Sequence, residues 1–122
     1  MDEPIIQPMR KKVMESPEEY PKLSQWTDAM WDSPFMRQYE EDGQKFERGQ
    51  AILEVQGTPM GHAVWNLILT KRDLSLYANT SMKPHRKWKV SDVKWYFGIK
   101  GTKHTLLQQF MLIFDVIHGG EM

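Results

Sequence analysis

The chain has no cysteine, which removes disulfide frameworks, thiolate zinc sites and thiol catalysis together. It also lacks any long apolar run. The longest, Phe110 to Phe114, falls far short of the roughly 20 residues a membrane span requires. The opening residues MDEPIIQPMRKK carry acids and prolines where a secretory signal needs a basic start and an apolar stretch. No export signal, no membrane contact and a cytoplasmic location are therefore expected. Nor is there an excess of charge, since 16 Lys/Arg balance 16 Asp/Glu. A protein that coats nucleic acid is usually basic overall, so any such contact here has to be local.

Catalytic signatures are missing as well. The histidines His62, His85, His104 and His118 are never three or four residues apart, the spacing that puts two imidazoles on one helical face, so no metal site is expected. The G-x-x-x-x-G-K-[ST] phosphate loop, the nucleophile elbow and paired carboxylates at an apolar strand end are all absent. The expectation is a non-enzymatic protein without a cofactor.

What is present suits one domain of 122 residues, large enough for a core without covalent staples. Charge is unevenly distributed along it. Residues 1–54 hold 7 Lys/Arg against 12 Asp/Glu, and residues 55–122 hold 9 against 4, so the halves carry opposite net charge. Residues 1–15, with Pro4 and Pro8 and no sustained periodicity, read as a flexible extended arm, leaving 16–122 as the folded domain. Ser16-Pro17 and Ser33-Pro34 are cap-plus-proline helix starts, with another start at Ser24 and a stop at Gly43. The acidic end Glu40-Glu41-Asp42 opposes the helix dipole there; it reads as a solvated cluster or a contact for a basic partner.

The middle of the chain alternates. Residues 49–56, 62–70 and 73–79 each place apolar side chains on every second position, which predicts a three-stranded antiparallel meander. Two C-terminal helices follow. The first runs from a Ser91 cap to Gly98 with Val93, Tyr96 and Phe97 inward. The second ends near His118 with Leu107, Phe110, Met111, Phe114 and Ile117 as its core stripe. The fold class expected is thus α+β: short N-terminal helices, the meander, then two helices. Leu112 and Val116 make the back of the last helix apolar too, so that face is either covered within the fold or forms a homodimer.

The candidate interaction segment is Lys83 to Lys103, where charge and aromatics interleave. Lys83, Arg86, Lys87, Trp88, Lys89, Lys94 and Trp95 are the candidate partner-binding residues, mixing cations with stacking surfaces. The alternative is that Trp88, Tyr96 and Phe97 belong to the core and the lysines to its solvated rim. Lys100, Gly101, Thr102 and Lys103 precede a helix and form a candidate anion-binding turn, or simply a glycine-permitted connection.

The stretches KPHRKWKVSDVK, Lys83 to Lys94, and YFGIKG, Tyr96 to Gly101, resemble small accessory proteins of large tailed bacteriophages of the T-even and cyanophage kind. That resemblance implies action inside an infected bacterium by binding a host or viral protein. The reading is a docking protein steered by charge and held by an aromatic anchor such as Trp88 or Trp95. The alternatives are a local nucleic-acid or nucleotide binder using the same basic face, and a virion structural component.

Overall fold

The computed structural model describes residues 6–49, 53–55 and 57–120. Six α-helices dominate them: α1 (Ile6–Glu15), α2 (Asp28–Trp31), α3 (Pro34–Glu47), α4 (His62–Thr80), α5 (Val90–Phe97) and α6 (Lys103–Ile117). Two single 3-10 turns, Pro17–Glu19 and Leu23–Gln25, link α1 to α2. The β structure among the described residues is one two-stranded antiparallel ladder, β1 (Leu53–Val55) with β2 (Thr58–Met60), in which Val55 pairs with Thr58 and Leu53 with Met60. The expected α+β meander is therefore corrected to a helical fold with one small hairpin.

The physical reason lies in residues 62–80. No glycine or proline occurs between Gly61 and Pro84, and Lys71-Arg72, read as a turn, are good helix formers. Ala63, Leu67, Leu74 and Ala78, all buried, share one face when spaced by helical turns. The helix meets α6 on one side and α3 on another, so its first half, Ala63 to Leu69, is apolar on more than one face. In such a segment alternation and helical periodicity coincide, and the absence of a breaker decides between them. Of the predicted first strand, Gln50 to Ile52 and Gln56 lie outside the described residues, and only 53–55 is seen as strand.

Helix α4 is the axis of the molecule, with α6 packed along it and α3 on another side. Phe35, Leu67, Leu74, Phe97, Leu106, Phe110 and Ile113 are sealed from solvent at the junction. Phe97 is central, with Phe35 at 5.0 Å and Phe110 at 5.2 Å between ring centroids. The α6 stripe is turned from the expected one. Leu106, Phe110 and Ile113 are fully buried, while Leu107, Met111, Phe114 and Ile117 are half-buried around them.

The N-terminal third wraps the base of this core. Thr27 caps α2 by accepting from the Met30 amide at 3.3 Å, and Ser33 caps α3 by accepting from Met36 N at 3.3 Å. The back of α6 is crossed there by the 3-10 segment. Trp26 Nε1 donates to the Leu112 carbonyl at 3.1 Å and Lys22 pairs with Asp115 at 2.8 Å, leaving Leu112 and Val116 half-buried against the core. Residues 6–15 are not an extended arm: α1 buries Ile6 and Val13, and Arg10 pairs with Asp28 and with Asp32. Met1 to Ile5 lie outside the described residues.

The acidic end of the sequence-predicted helix is also corrected. Helix α3 passes through Gly43 to Glu47, so Asp42 sits inside it, only 3 % exposed. Its carboxylate accepts from Ala63 N at 2.9 Å and from Gln38 Nε2 at 3.0 Å. Asp42 thus supplies from α3 the N-terminal cap that α4 lacks, because Gly61 at the cap position has no side chain. A Cβ on Gly61 would lie 2.7 Å from Asp42 Oδ2, so the glycine also makes room for that bond. No helix of the described residues is long and apolar enough to cross a membrane.

Candidate functional site

Helix α5 carries the interaction segment, and its amphipathic pattern sorts the candidate residues. Val93 and Phe97 point into the core, Tyr96 is half-buried, and Trp95 is turned outward at 70 % exposure. Trp88, the other candidate anchor, is 8 % exposed and packs on Tyr77 at 5.1 Å between centroids. It is a core residue, since an indole held against its neighbours on all sides has no face left for a partner. The two tryptophans of the segment therefore separate into one structural and one available ring.

Lys83, Arg86, Lys87 and Lys89 are exposed on the connection between α4 and α5. Lys94 is half-buried on α5, and Lys100 is exposed beyond its end. The candidate anion-binding turn does not assemble. The Lys100 amide is taken by Gln109 Oε1 at 3.2 Å, and the Lys103 ammonium donates to the Ser81 hydroxyl. Thr102, at the cap of α6, makes no side-chain cap bond, and Gly101 is half-buried beside it. With the Lys103 ammonium engaged on Ser81 and the Lys100 amide committed to Gln109, two donors of the turn are already used, and the Lys100 side chain lines a groove beside Trp95.

Trp95 stands between two grooves. The first, about 450 Å³, runs between α4 and α5 over Leu69, Val93 and Phe97. Its rim mixes signs, with Lys87 and Lys89 beside Asp73 and Asp92. The second, about 440 Å³, lies between the α2–α3 corner and the chain leaving α5; Trp95 and Ile99 wall it, and Arg37, Lys94 and Lys100 line it with Asp32. A phosphate-tracking surface presents cations alone along its path, so the acids of the first groove fit a polypeptide better than a nucleic-acid backbone.

The second groove exists because the C-terminal end of α5 abuts α2 at Ala29. Gly98 ends α5 in the left-handed region, with φ of 65°, and a Cβ there would lie 2.1 Å from the Ala29 carbonyl oxygen. The Ile99 amide closes the turn on Lys94 O at 3.1 Å, and the Ile99 side chain is buried. Glycine alone combines that backbone conformation with so close an approach. As a result Lys94 and Lys100 stand beside Arg37, far away in sequence. Arg37 was not a candidate in the sequence, because its neighbours there are acidic and nothing in its spacing points toward α5.

Tyr96 faces the first groove. Its hydroxyl accepts from Asn66 Nδ2 at 3.2 Å, and its ring meets Phe35 edge-on at 6.0 Å. Burial pushes its phenol above the usual value of 10.0; the nearby Asp42 charge adds to the rise, and the Asn66 bond partly offsets it. The group stays neutral at physiological pH and adds a hydroxyl beside Asn66 to the wall of the groove. Among the described residues no cluster of His, Asp or Glu is placed to hold a metal ion.

Comparison of the chain with models of known families, with curated proteins and with solved structures returned no match. The functional reading therefore rests on the chain's own sequence and on the surface around α5.

Proposed function

We propose that the protein is a non-enzymatic docking module that binds another protein through the α5 surface, with Trp95 as its anchor. One observation carries the reading: a 70 % exposed indole stands on a rigid helix between two grooves, in a molecule that buries its other interaction-segment tryptophan. Exposed tryptophan is costly to leave in water, and interface hot spots are enriched in this residue where it enters a partner's pocket. Lys87, Lys89, Lys94 and Lys100 surround it and supply long-range steering, while the mixed-sign rim of the first groove supplies orientation. In the setting that the phage-like segment implies, the partner is a host or viral protein inside an infected bacterium.

The test compares wild type with Trp95→Ala in bacterial lysate, each with and without nuclease. The reading expects a discrete protein captured by wild type alone and insensitive to nuclease, which then binds purified wild type directly. Capture lost on nuclease treatment transfers the function to a nucleic-acid contact on the same basic face. Equal capture by both forms removes Trp95 from the surface and overturns the reading.

A further inference from the structure

Arg37, Lys94 and Lys100 come from three separate parts of the fold: the body of α3, the body of α5, and the chain between α5 and α6. Together they line the second groove, and among the described residues none of the three side chains takes part in an ion pair or hydrogen bond. Cations of a folded surface are commonly balanced by nearby acids, and the one acid that lines this groove is Asp32, which also pairs with Arg10 at 3.0 Å. The groove thus combines an excess of positive charge, three cations against the one carboxylate of Asp32, with an apolar wall made by Trp95 and the buried Ile99. The first groove lacks this imbalance, because Asp73 and Asp92 stand against Lys87 and Lys89.

We infer that the groove between the α2–α3 corner and the end of α5 is the specificity pocket of the docking surface, and that its occupant is an acidic segment of the partner. The segment carries carboxylates for Arg37, Lys94 and Lys100 and one large apolar side chain laid against Trp95. The inference rests on the docking reading above and adds the chemistry of the partner to it. Arg37 gives the most directional contact, since its planar guanidinium can hold a carboxylate through two parallel bonds, whereas the lysines act as point charges. A groove of about 440 Å³ has room for one large side chain and the adjoining backbone, so recognition is by a short motif.

The probe is a display library of random 12-residue peptides, selected on the full chain. In parallel it is selected on Trp95→Ala and on an Arg37→Glu/Lys100→Glu variant that circular dichroism shows to be folded. Wild type is expected to enrich peptides with two or more Asp/Glu around an aromatic or Leu residue. Such a peptide, synthesised with a fluorophore, should bind Arg37→Glu/Lys100→Glu about tenfold or more weakly, as charge reversal at an interface rim replaces attraction by repulsion. Its Gln-for-Glu analogue should be weakened comparably, and Lys12→Glu, exposed on α1 and lining neither groove, should bind it within about threefold of wild type. Selected sequences that need Trp95 but are neutral or basic would overturn this inference and leave the docking reading standing. No Trp95-dependent enrichment at all would overturn both.

Discussion

Gly98→Ala is the substitution that most sharply isolates how the α5 surface is built. Two separate costs arise at this position. At a φ of 65° an L-alanine is in the left-handed region, which costs about 1 kcal/mol relative to glycine. The added Cβ then lies 2.1 Å from the Ala29 carbonyl oxygen, well inside the 3.0 Å that real Cβ atoms essentially never cross. The obstacle is backbone of a neighbouring helix, so α5 or α2 has to shift, and forced displacement in a packed region costs about 1–3 kcal/mol. The expected total is about 2–4 kcal/mol. With a urea slope of about 2 kcal/mol per molar, that lowers the unfolding midpoint by about 1–2 M. Gly49→Ala is the internal control: its φ is 69°, and nothing lies within 4 Å of its Cβ position. It should show the backbone cost alone, about 0.5 M. Equal midpoints for the two variants would refute the close approach of α5 to α2, and with it the geometry that gathers Arg37, Lys94 and Lys100.

Further expectations concern single side chains. Trp88→Ala removes a buried ring and should cost about 3–5 kcal/mol in urea unfolding, whereas Trp95→Ala should stay within about 0.5 kcal/mol of wild type. Similar costs for the two would contradict the sorting of core ring from exposed anchor. Asp42→Ala leaves the Ala63 amide without its cap and should cost about 1–3 kcal/mol, with Asp42→Asn closer to wild type; a neutral Asp42→Ala would sink the role of Asp42 as the cap of α4. The Tyr96 phenol is held in its neutral form by burial, so its contribution to stability is present below pH 10 and is lost as pH rises through its raised folded-state value. Ultraviolet titration should show a late tyrosine step that vanishes in Tyr96→Phe.

The legible parts of the fold were those with local punctuation. Ser33-Pro34 marked the start of α3, Ser16-Pro17 the start of the first 3-10 turn, and Gly98 the end of α5, because such punctuation is decided by a few adjacent residues. Residues 62–80 were misread because Ala63, Leu67 and Leu69 fit a strand face as readily as a helix packed from several sides. Asp42 was misplaced for a different reason. Its partner, the Ala63 amide, lies 21 residues away, and no spacing rule joins an acid on one helix to the bare cap of another. Which members of the Lys83 to Lys103 segment are buried was not legible, since the 70 % exposure of Trp95 and the burial of Trp88 depend on which face of α5 meets Phe35 and Phe110. Arg37 had no sequence signal at all; only the contact of Gly98 with Ala29 brings it to the groove.

The most direct test of the docking claim is site-specific photo-crosslinking in nuclease-treated bacterial lysate, with a benzophenone amino acid placed at position 95 and, separately, at exposed Glu18 on the first 3-10 turn. Docking through α5 predicts one discrete protein adduct from position 95, reduced by excess unlabelled wild type and absent from position 18. No adduct at 95, or the same set of adducts from both positions, would contradict it.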